Sequence, residues 1–152
     1  MKQTTEQLMS LAHETAKRSG DPKEKVGVVL LTYTGVLIEA CNIFPPLVQE
    51  TRERLVIPAK LSFMEHAERA AIYYAAKCGL ALKGGSIYST KCPCAECARS
   101  IAMTGISHVY TYREREDSTW KADSDTGLII LKEAKVEVTF LEPLALFSQG
   151  PQ

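Results

Sequence analysis

Apolar residues fall into runs whose spacing switches between the helical period and the strand period along the chain. From about Thr4 to Ser19, Leu8, Leu11, Ala12 and Thr15 recur at helical spacing until Gly20-Asp21-Pro22 stops the pattern. Two β-branched runs follow, Val26 to Thr32 and Val36 to Ile43. The turn signal Tyr33-Thr34-Gly35 between them predicts a hairpin. Phe44-Pro45-Pro46 breaks the second run. Leu47 to Lys60 is then polar and irregular, and its length points to a functional loop rather than a plain connector. From Met64 the spacing is helical again, with Ala67, Ala70, Ala71, Tyr74, Ala75 and Cys78 on one face that Gly79 ends. Gly84-Gly85 opens a strand over Ser86 to Lys91, Pro93 ends it, and Ala95 to Met103 reads as a third helix closing at Gly105. A short strand over Val109 to Tyr112, a charged irregular stretch from Arg113 to Ser124, and a helix over Thr126 to Ala134 come next. Val136 to Phe140 alternates as a half-buried strand. Leu141 to Gln152 forms a tail whose Leu144, Leu146 and Phe147 suit an interface.

The order α-β-β-α-β-α-β-α-β implies an α/β fold: one mixed five-stranded sheet between helices on both faces, because parallel neighbours need crossover helices. With no repeat, linker or low-complexity segment, the 152 residues read as a single domain over 1–152, with 141–152 as its tail. Both segments that carry the chemistry below fall at helix starts.

Composition narrows the class without choosing a function. Hydrophobic residues make up 45% and charged residues 24%, the balance of a soluble globular protein. No apolar run approaches the roughly 18 residues of a membrane span, and the polar start Met1 to Glu6 has no signal-peptide core behind it. A cytoplasmic protein that does not engage a membrane is expected. Five cysteines, an odd number, are better read as reduced thiols than as a disulfide framework. Lys plus Arg number 18 and Asp plus Glu also 18, so the basic surplus of a polynucleotide-binding protein is missing. That balance favours a small-molecule substrate over nucleic acid.

The chemistry is concentrated in His66-Ala67-Glu68 and Pro93-Cys94-Ala95-Glu96-Cys97. One imidazole and two thiolates are one ligand short of the tetrahedron Zn²⁺ prefers, the pattern of a catalytic zinc with an open position. Glu68 lies near enough to exchange a proton with water at that position without being a ligand. His-x-Glu followed by Pro-Cys-x-x-Cys matches the signature of zinc-dependent nucleobase deaminases. Taken singly these residues have plainer readings: a helix-start histidine, a solvated first-turn carboxylate, a redox pair or half of a zinc knuckle. A closed structural site would need a fourth ligand, from Cys92, His108, His13, Cys41 or Cys78. Cys92 would point away if its strand ran to Pro93. His13, Cys41 and Cys78 lie in apolar periodic segments as core residues, and His108 is expected at the surface.

At these residues the chain resembles the cytidine deaminase superfamily, and within it the deoxycytidylate (dCMP) deaminase branch. The likeness runs from about Leu8 to Phe140. It includes Lys25-Val26-Gly27, Asn42-Ile43-Phe44-Pro45, Glu65 to Tyr73, Pro93 to Ala98, Ala102 to Ile106, Trp120 and Leu131 to Ala134. The resemblance implies zinc held by His66, Cys94 and Cys97, with Glu68 as proton shuttle in converting dCMP to dUMP and ammonia. It also implies Asn42 on the sugar, the Ala67 backbone on the pyrimidine carbonyl, Tyr110 walling the base pocket, and a homo-oligomer, dimer or hexamer. Two departures bear on the substrate: Ala70 stands where the family often has Asn, and Ile43 where it often has Gly. Other cytosine compounds, or a zinc-holding module without catalysis, are the alternatives. Members are often regulated by deoxynucleotide triphosphates. A nucleotide would need a cationic clamp from Arg52, Arg54, Lys60, Lys91, Arg113 or Arg115.

Overall fold

The two β-branched runs form the expected hairpin in the computed structural model, which describes residues 2–144. Strands β1 (Gly27–Leu31) and β2 (Leu37–Cys41) pair antiparallel, with Val28 opposite Ala40 and Leu30 opposite Ile38. Strand β1 pairs antiparallel with β3 (Ser86–Ser89) on its other side. Strands β4 (His108–Thr111) and β5 (Glu137–Phe140) then continue in parallel, giving the order β2-β1-β3-β4-β5 among the described residues.

Alternation along β1 separates the two layers of core. Val28 and Leu30 face one side, where they pack with Ala67, Ala71 and Ala75 of α3 (Ala67–Lys77), Ala98 and Ile101 of α4 (Ala95–Thr104), and Leu131 of α5 (Lys121–Glu133). Val29 faces the other side with Tyr88 against Leu8, Met9 and Ala12 of α1 (Thr5–Ala16). The result is a three-layer α/β/α sandwich around a mixed five-stranded sheet, as the order of elements predicted. Helix α1 starts at a capping box: Thr4 Oγ1 accepts from Gln7 N at 3.2 Å, and Gln7 Oε1 from Thr4 N at 2.9 Å. The alanine face of α3 lets that helix lie close on the sheet, and Gly105 at φ 76° ends α4.

Several expectations need correction. The irregular segment 47–60 contains one 3₁₀ turn, Glu53–Leu55, and leads into a short helix α2, Ala59–Phe63. Helix α5 starts at Lys121, five residues earlier than Thr126. Its buried residues are Ser124, Gly127 and Leu131, and Lys121 Nζ bonds Asp125 Oδ1 at 2.6 Å. A helix that buries a serine and a glycine shows no apolar stripe to count. Cys78 is exposed at the C-cap of α3 rather than in the core. His108 is half-buried in β4, its ring stacked on Tyr110 at 4.0 Å and Nε2 at 2.7 Å from Thr139 Oγ1. In the tail, Leu141 and Leu144 pack against the α1 side, while Leu146 and Phe147 lie outside the described residues.

Helix α5 reaches the chemistry through Gly127. A Cβ placed there would stand 2.5 Å from the Pro93 carbonyl oxygen and 3.1 Å from the Cys94 carbonyl. The helix therefore rests directly on the Pro93-Cys94 backbone. Gly127→Ala is expected to destabilise the protein by about 1–3 kcal/mol through overpacking, read as a lower denaturant midpoint at unchanged slope. An unchanged midpoint would mean that α5 is not seated there.

Candidate active site and metal centre

His66 and Cys94 are each the residue before a helix, with extended backbone at φ −71° and −72°. The start of α3 is fastened to the end of β2 by a two-way bridge: Glu65 N donates to Ile43 O at 2.8 Å and Ile43 N to Glu65 O at 3.0 Å. The start of α4 follows β3, two strands away across β1. Both helices lie on the same face of the sheet, so their N-termini meet. His66 Nδ1 stands 3.4 Å from Cys94 Sγ and 3.4 Å from Cys97 Sγ.

Among the described residues, His66, Cys94 and Cys97 bring their ligand atoms within 4.8 Å of one another. Cys92, His108, His13, Cys41 and Cys78 do not join that group. Cys92 is buried and off the end of β3, and burial, with Glu114 and Glu68 nearby, pushes its thiol up to about 12. The three clustered residues do not titrate as ordinary groups. A hydrogen bond from the Cys97 thiol, reinforced by His66 and opposed by burial, brings Cys94 down to about 4. The same bond, then burial, pushes Cys97 up. His66 is raised by its bond to Cys94, against burial. A thiolate at the head of α4 beside an imidazole and a second thiol is a donor set that suits Zn²⁺, and three donors leave one coordination position.

Glu68 sits in the first turn of α3 and is 4% exposed. Its Oε2 accepts from Cys97 Sγ at 3.5 Å and its Oε1 lies 3.2 Å from Ser89 Oγ. Burial pushes its carboxyl above the usual carboxylate range, against the pull of its backbone hydrogen bond and His66.

Arg69 ties the two helix starts together. Its Nε bonds Glu65 Oε1 at 2.5 Å on the α3 side, and its Nη1 bonds Glu96 Oε2 at 2.6 Å on the α4 side. Glu65 Oε1 also accepts the His66 N–H at 2.9 Å. The guanidinium is mostly buried, so this network is screened less than a surface pair.

These groups open on a cavity of about 440 Å³. Asn42 and Ala67 line it, but the carboxamide of Asn42 is engaged: Oδ1 accepts from Val26 N at 2.9 Å and Nδ2 donates to Glu24 O at 2.8 Å. Longer contacts of 3.4 Å reach Asp21 and Met64. Tyr110 does not line the cavity. It points to the opposite face of the sheet, stacked on Tyr88 at 4.5 Å, because Val109 takes the inward position in β4. Ala70 and Ile43 pack in the α3-side core and are not cavity residues either. The wall opposite is built instead by Trp120, Asp123 and Ser124 at the start of α5. Trp120 belongs to the sequence resemblance, whereas Asp123 and Ser124 lie in a stretch that carried no pattern.

Of the six cations proposed as a clamp, Lys60 and Lys91 reach this cavity. Lys60 bonds Asp21 Oδ2 at 2.5 Å, where Asp21 is 1% exposed. Burial would raise the Asp21 carboxyl, but Lys60 and the N–H groups of Lys23 and Glu24 outweigh it and hold it low. The Lys60 charge on the cavity wall is thus already matched by Asp21. Lys91 bonds Glu24 and lies 5.5 Å over the Trp120 ring. Arg54 covers the Phe63 ring at 4.2 Å, and Arg52 is exposed.

Comparison with known proteins agrees with this geometry. The family model for the cytidine and deoxycytidylate deaminase zinc-binding region matches residues 2–113. An uncharacterized deaminase in the luxG 3′ region of Aliivibrio fischeri is 31% identical over 136 residues, covering 88% of this chain and 90% of that protein. Mouse deoxycytidylate deaminase is 30% identical over 127 residues, covering 75% of this chain and 69% of that protein. The crystal structure of a dCMP deaminase from cyanophage S-TIM5, in complex with dCMP and dUMP, superposes with a TM-score of 0.71 at 25% identity. It covers 88% of this chain and 93% of that one. A model spanning most of the chain, and relatives matched along most of their own length, agree: the chain belongs to the cytidine and deoxycytidylate deaminase zinc-binding family.

Proposed function

We propose that this protein hydrolyses the exocyclic amino group from a cytosine nucleotide, with dCMP the leading substrate, dUMP and ammonia the products. The observation that carries the reading is the meeting of His66, Cys94 and Cys97 around the buried carboxyl of Glu68 on one cavity. Bound by those three residues, zinc supplies Lewis acidity that lowers the pKa of water to about 7. The reaction adds a water oxygen to the ring carbon and expels the amino nitrogen. A proton must leave the water and reach the ring nitrogen and then the leaving ammonia. Glu68 is the group for this transfer: it accepts when ionised, donates when protonated, and burial brings the two states closer in free energy. Ala67 opens α3, where the first-turn N–H groups have no intrahelical acceptor, which suits it to the pyrimidine carbonyl. A sugar hydroxyl at Asn42 would replace its long contacts to Asp21 or Met64 and keep the two short ones.

The mouse relative and the cyanophage neighbour, a dCMP deaminase holding dCMP and dUMP, support a nucleotide substrate. No helix among the described residues is long and apolar enough to cross a membrane. The proposal includes a single cytoplasmic domain assembling as a homo-oligomer, with the exposed Leu47, Val56, Ile57 and Leu61 available to a second copy.

Glu68→Gln is expected to keep zinc while lowering dCMP turnover by about 10²–10⁴-fold, the usual worth of a general acid–base group. Metal analysis alongside ammonia release checks this, and turnover at the wild-type rate would remove Glu68 from the role. Arg69→Gln should weaken zinc affinity by about 10–100-fold through loss of the tie between the ligand-bearing helix starts. Competition with a chromophoric chelator measures that affinity, and unchanged affinity would reduce the tie to a surface pair.

A further inference from the structure

Strand β3 ends on a serine where that face of the sheet is otherwise apolar. Ser89 and Ile87 are two positions apart and so share a face, and Ser89 stands opposite Val28 of β1. Ile87 and Val28 both belong to the core layer beneath α3 and α4. Ser89 is 0% exposed and does not line the cavity. A hydroxyl is tolerated in such a layer when it is hydrogen-bonded.

Part of that bonding is local. Ser89 Oγ donates to Lys91 O at 2.7 Å and accepts from Lys91 N at 3.3 Å, as a serine beside a turn commonly does. The third contact is not local: Glu68 Oε1, brought in by α3, lies 3.2 Å from the same oxygen. A hydroxyl carries a single proton, and here two acceptors are within its reach. An ionised carboxylate makes a stronger hydrogen bond than a neutral carbonyl, so it draws that proton to itself. Whichever way the hydroxyl turns, its buried proton has an acceptor.

Among the described residues, two side chains bond the carboxyl of Glu68: Cys97 on Oε2 and Ser89 on Oε1. They are not equivalent. The Cys97 contact uses a thiol proton, and a cysteine that holds zinc does so as a thiolate. Ser89 is outside the cluster of His66, Cys94 and Cys97 and keeps its proton when they bind metal. Its backbone is fixed in β3, which pairs with β1 on one side and β4 on the other.

We propose that Ser89 is the positioning residue for Glu68: its hydroxyl holds Oε1 and so keeps Oε2 turned toward the cluster of His66, Cys94 and Cys97. The assignment rests on the deaminase reading above and deepens it. Ser89 stands off the cavity, so it meets no substrate and acts through Glu68. A carboxylate free to turn reaches its reactive orientation part of the time. One held by its far oxygen has that orientation set before the substrate arrives.

Steady-state deamination of dCMP is compared for wild type, Ser89→Ala, Ser89→Thr, Glu68→Gln and the double variant Ser89→Ala/Glu68→Gln. Infrared spectra of the same proteins, labelled with isotopic glutamate, are taken with and without zinc. Ser89→Ala is expected to lower kcat by about 10–100-fold, the worth of a hydrogen bond to a charged group, with KM for dCMP nearly unchanged. Ser89→Thr keeps the hydroxyl and should restore most of the rate. On the Glu68→Gln background Ser89→Ala should cost nothing further, because the two residues act as a unit. The Glu68 carboxyl band, identified by its loss in Glu68→Gln, should shift in Ser89→Ala and stay in place in Ser89→Thr, with or without zinc. Lys91 lines the cavity, so a serine that merely shaped the strand end would show its loss in KM and on both backgrounds. That pattern, a wild-type kcat in Ser89→Ala, or an unmoved band overturns the proposal. A fault in the deaminase reading shows itself apart: a Ser89-dependent band in a wild type that releases no ammonia from dCMP keeps the hydrogen bond and removes the reaction it would serve.

Discussion

Two helix N-termini have to be held against each other in this protein, and little in their own turns would keep them there. A thiolate, a thiol, an imidazole and a buried carboxyl share a space of a few ångströms. Each carries polar atoms that water would otherwise satisfy. What holds them is the frame: the Ile43–Glu65 bridge on one side, β3 on the other, and Arg69 reaching from Glu65 to Glu96 between them. The hydrogen bond from Cys97, with His66 beside it, holds the Cys94 thiol low against burial. The sheet order places α3 and α4 side by side on one face, and the meeting of His66 with Cys94 and Cys97 follows from that placement.

Most of the fold was legible because burial follows the period of each element. Strand β1 is buried on both faces and reads as an unbroken apolar run, and α3 shows its alanine face at regular spacing. The parts that escaped are those whose buried faces are not apolar. Helix α5 packs a serine and a glycine, and α2 buries none of its residues. Cys78 falls on the apolar face of α3 by spacing alone, but the helix ends there and the side chain meets solvent.

The site divides in the same way. His66, Glu68, Cys94 and Cys97 were visible as a spaced pattern because metal chemistry restricts residue type. Tyr110 was misplaced because strand alternation decides the face, and a one-residue difference in position reverses it. Partnership between side chains was not visible at all. Nothing in the order of residues tells that Lys60 is spent on Asp21, that the Asn42 carboxamide is tied down by Val26 and Glu24, or that Arg113 stands without a carboxylate. Those pairings depend on chain segments brought together only by folding, and they decide which charges a ligand meets.

The seating of Gly127 on Pro93 and Cys94 couples two properties that could have been independent. The helix that bears this glycine also supplies Trp120, Asp123 and Ser124 to the cavity wall. Any substitution that lifts or turns α5 therefore moves the wall and Cys94 together. A change that reshaped α5 would disturb the cluster of His66, Cys94 and Cys97 at the same step. Change in the loop between β4 and α5 is not bound by that contact.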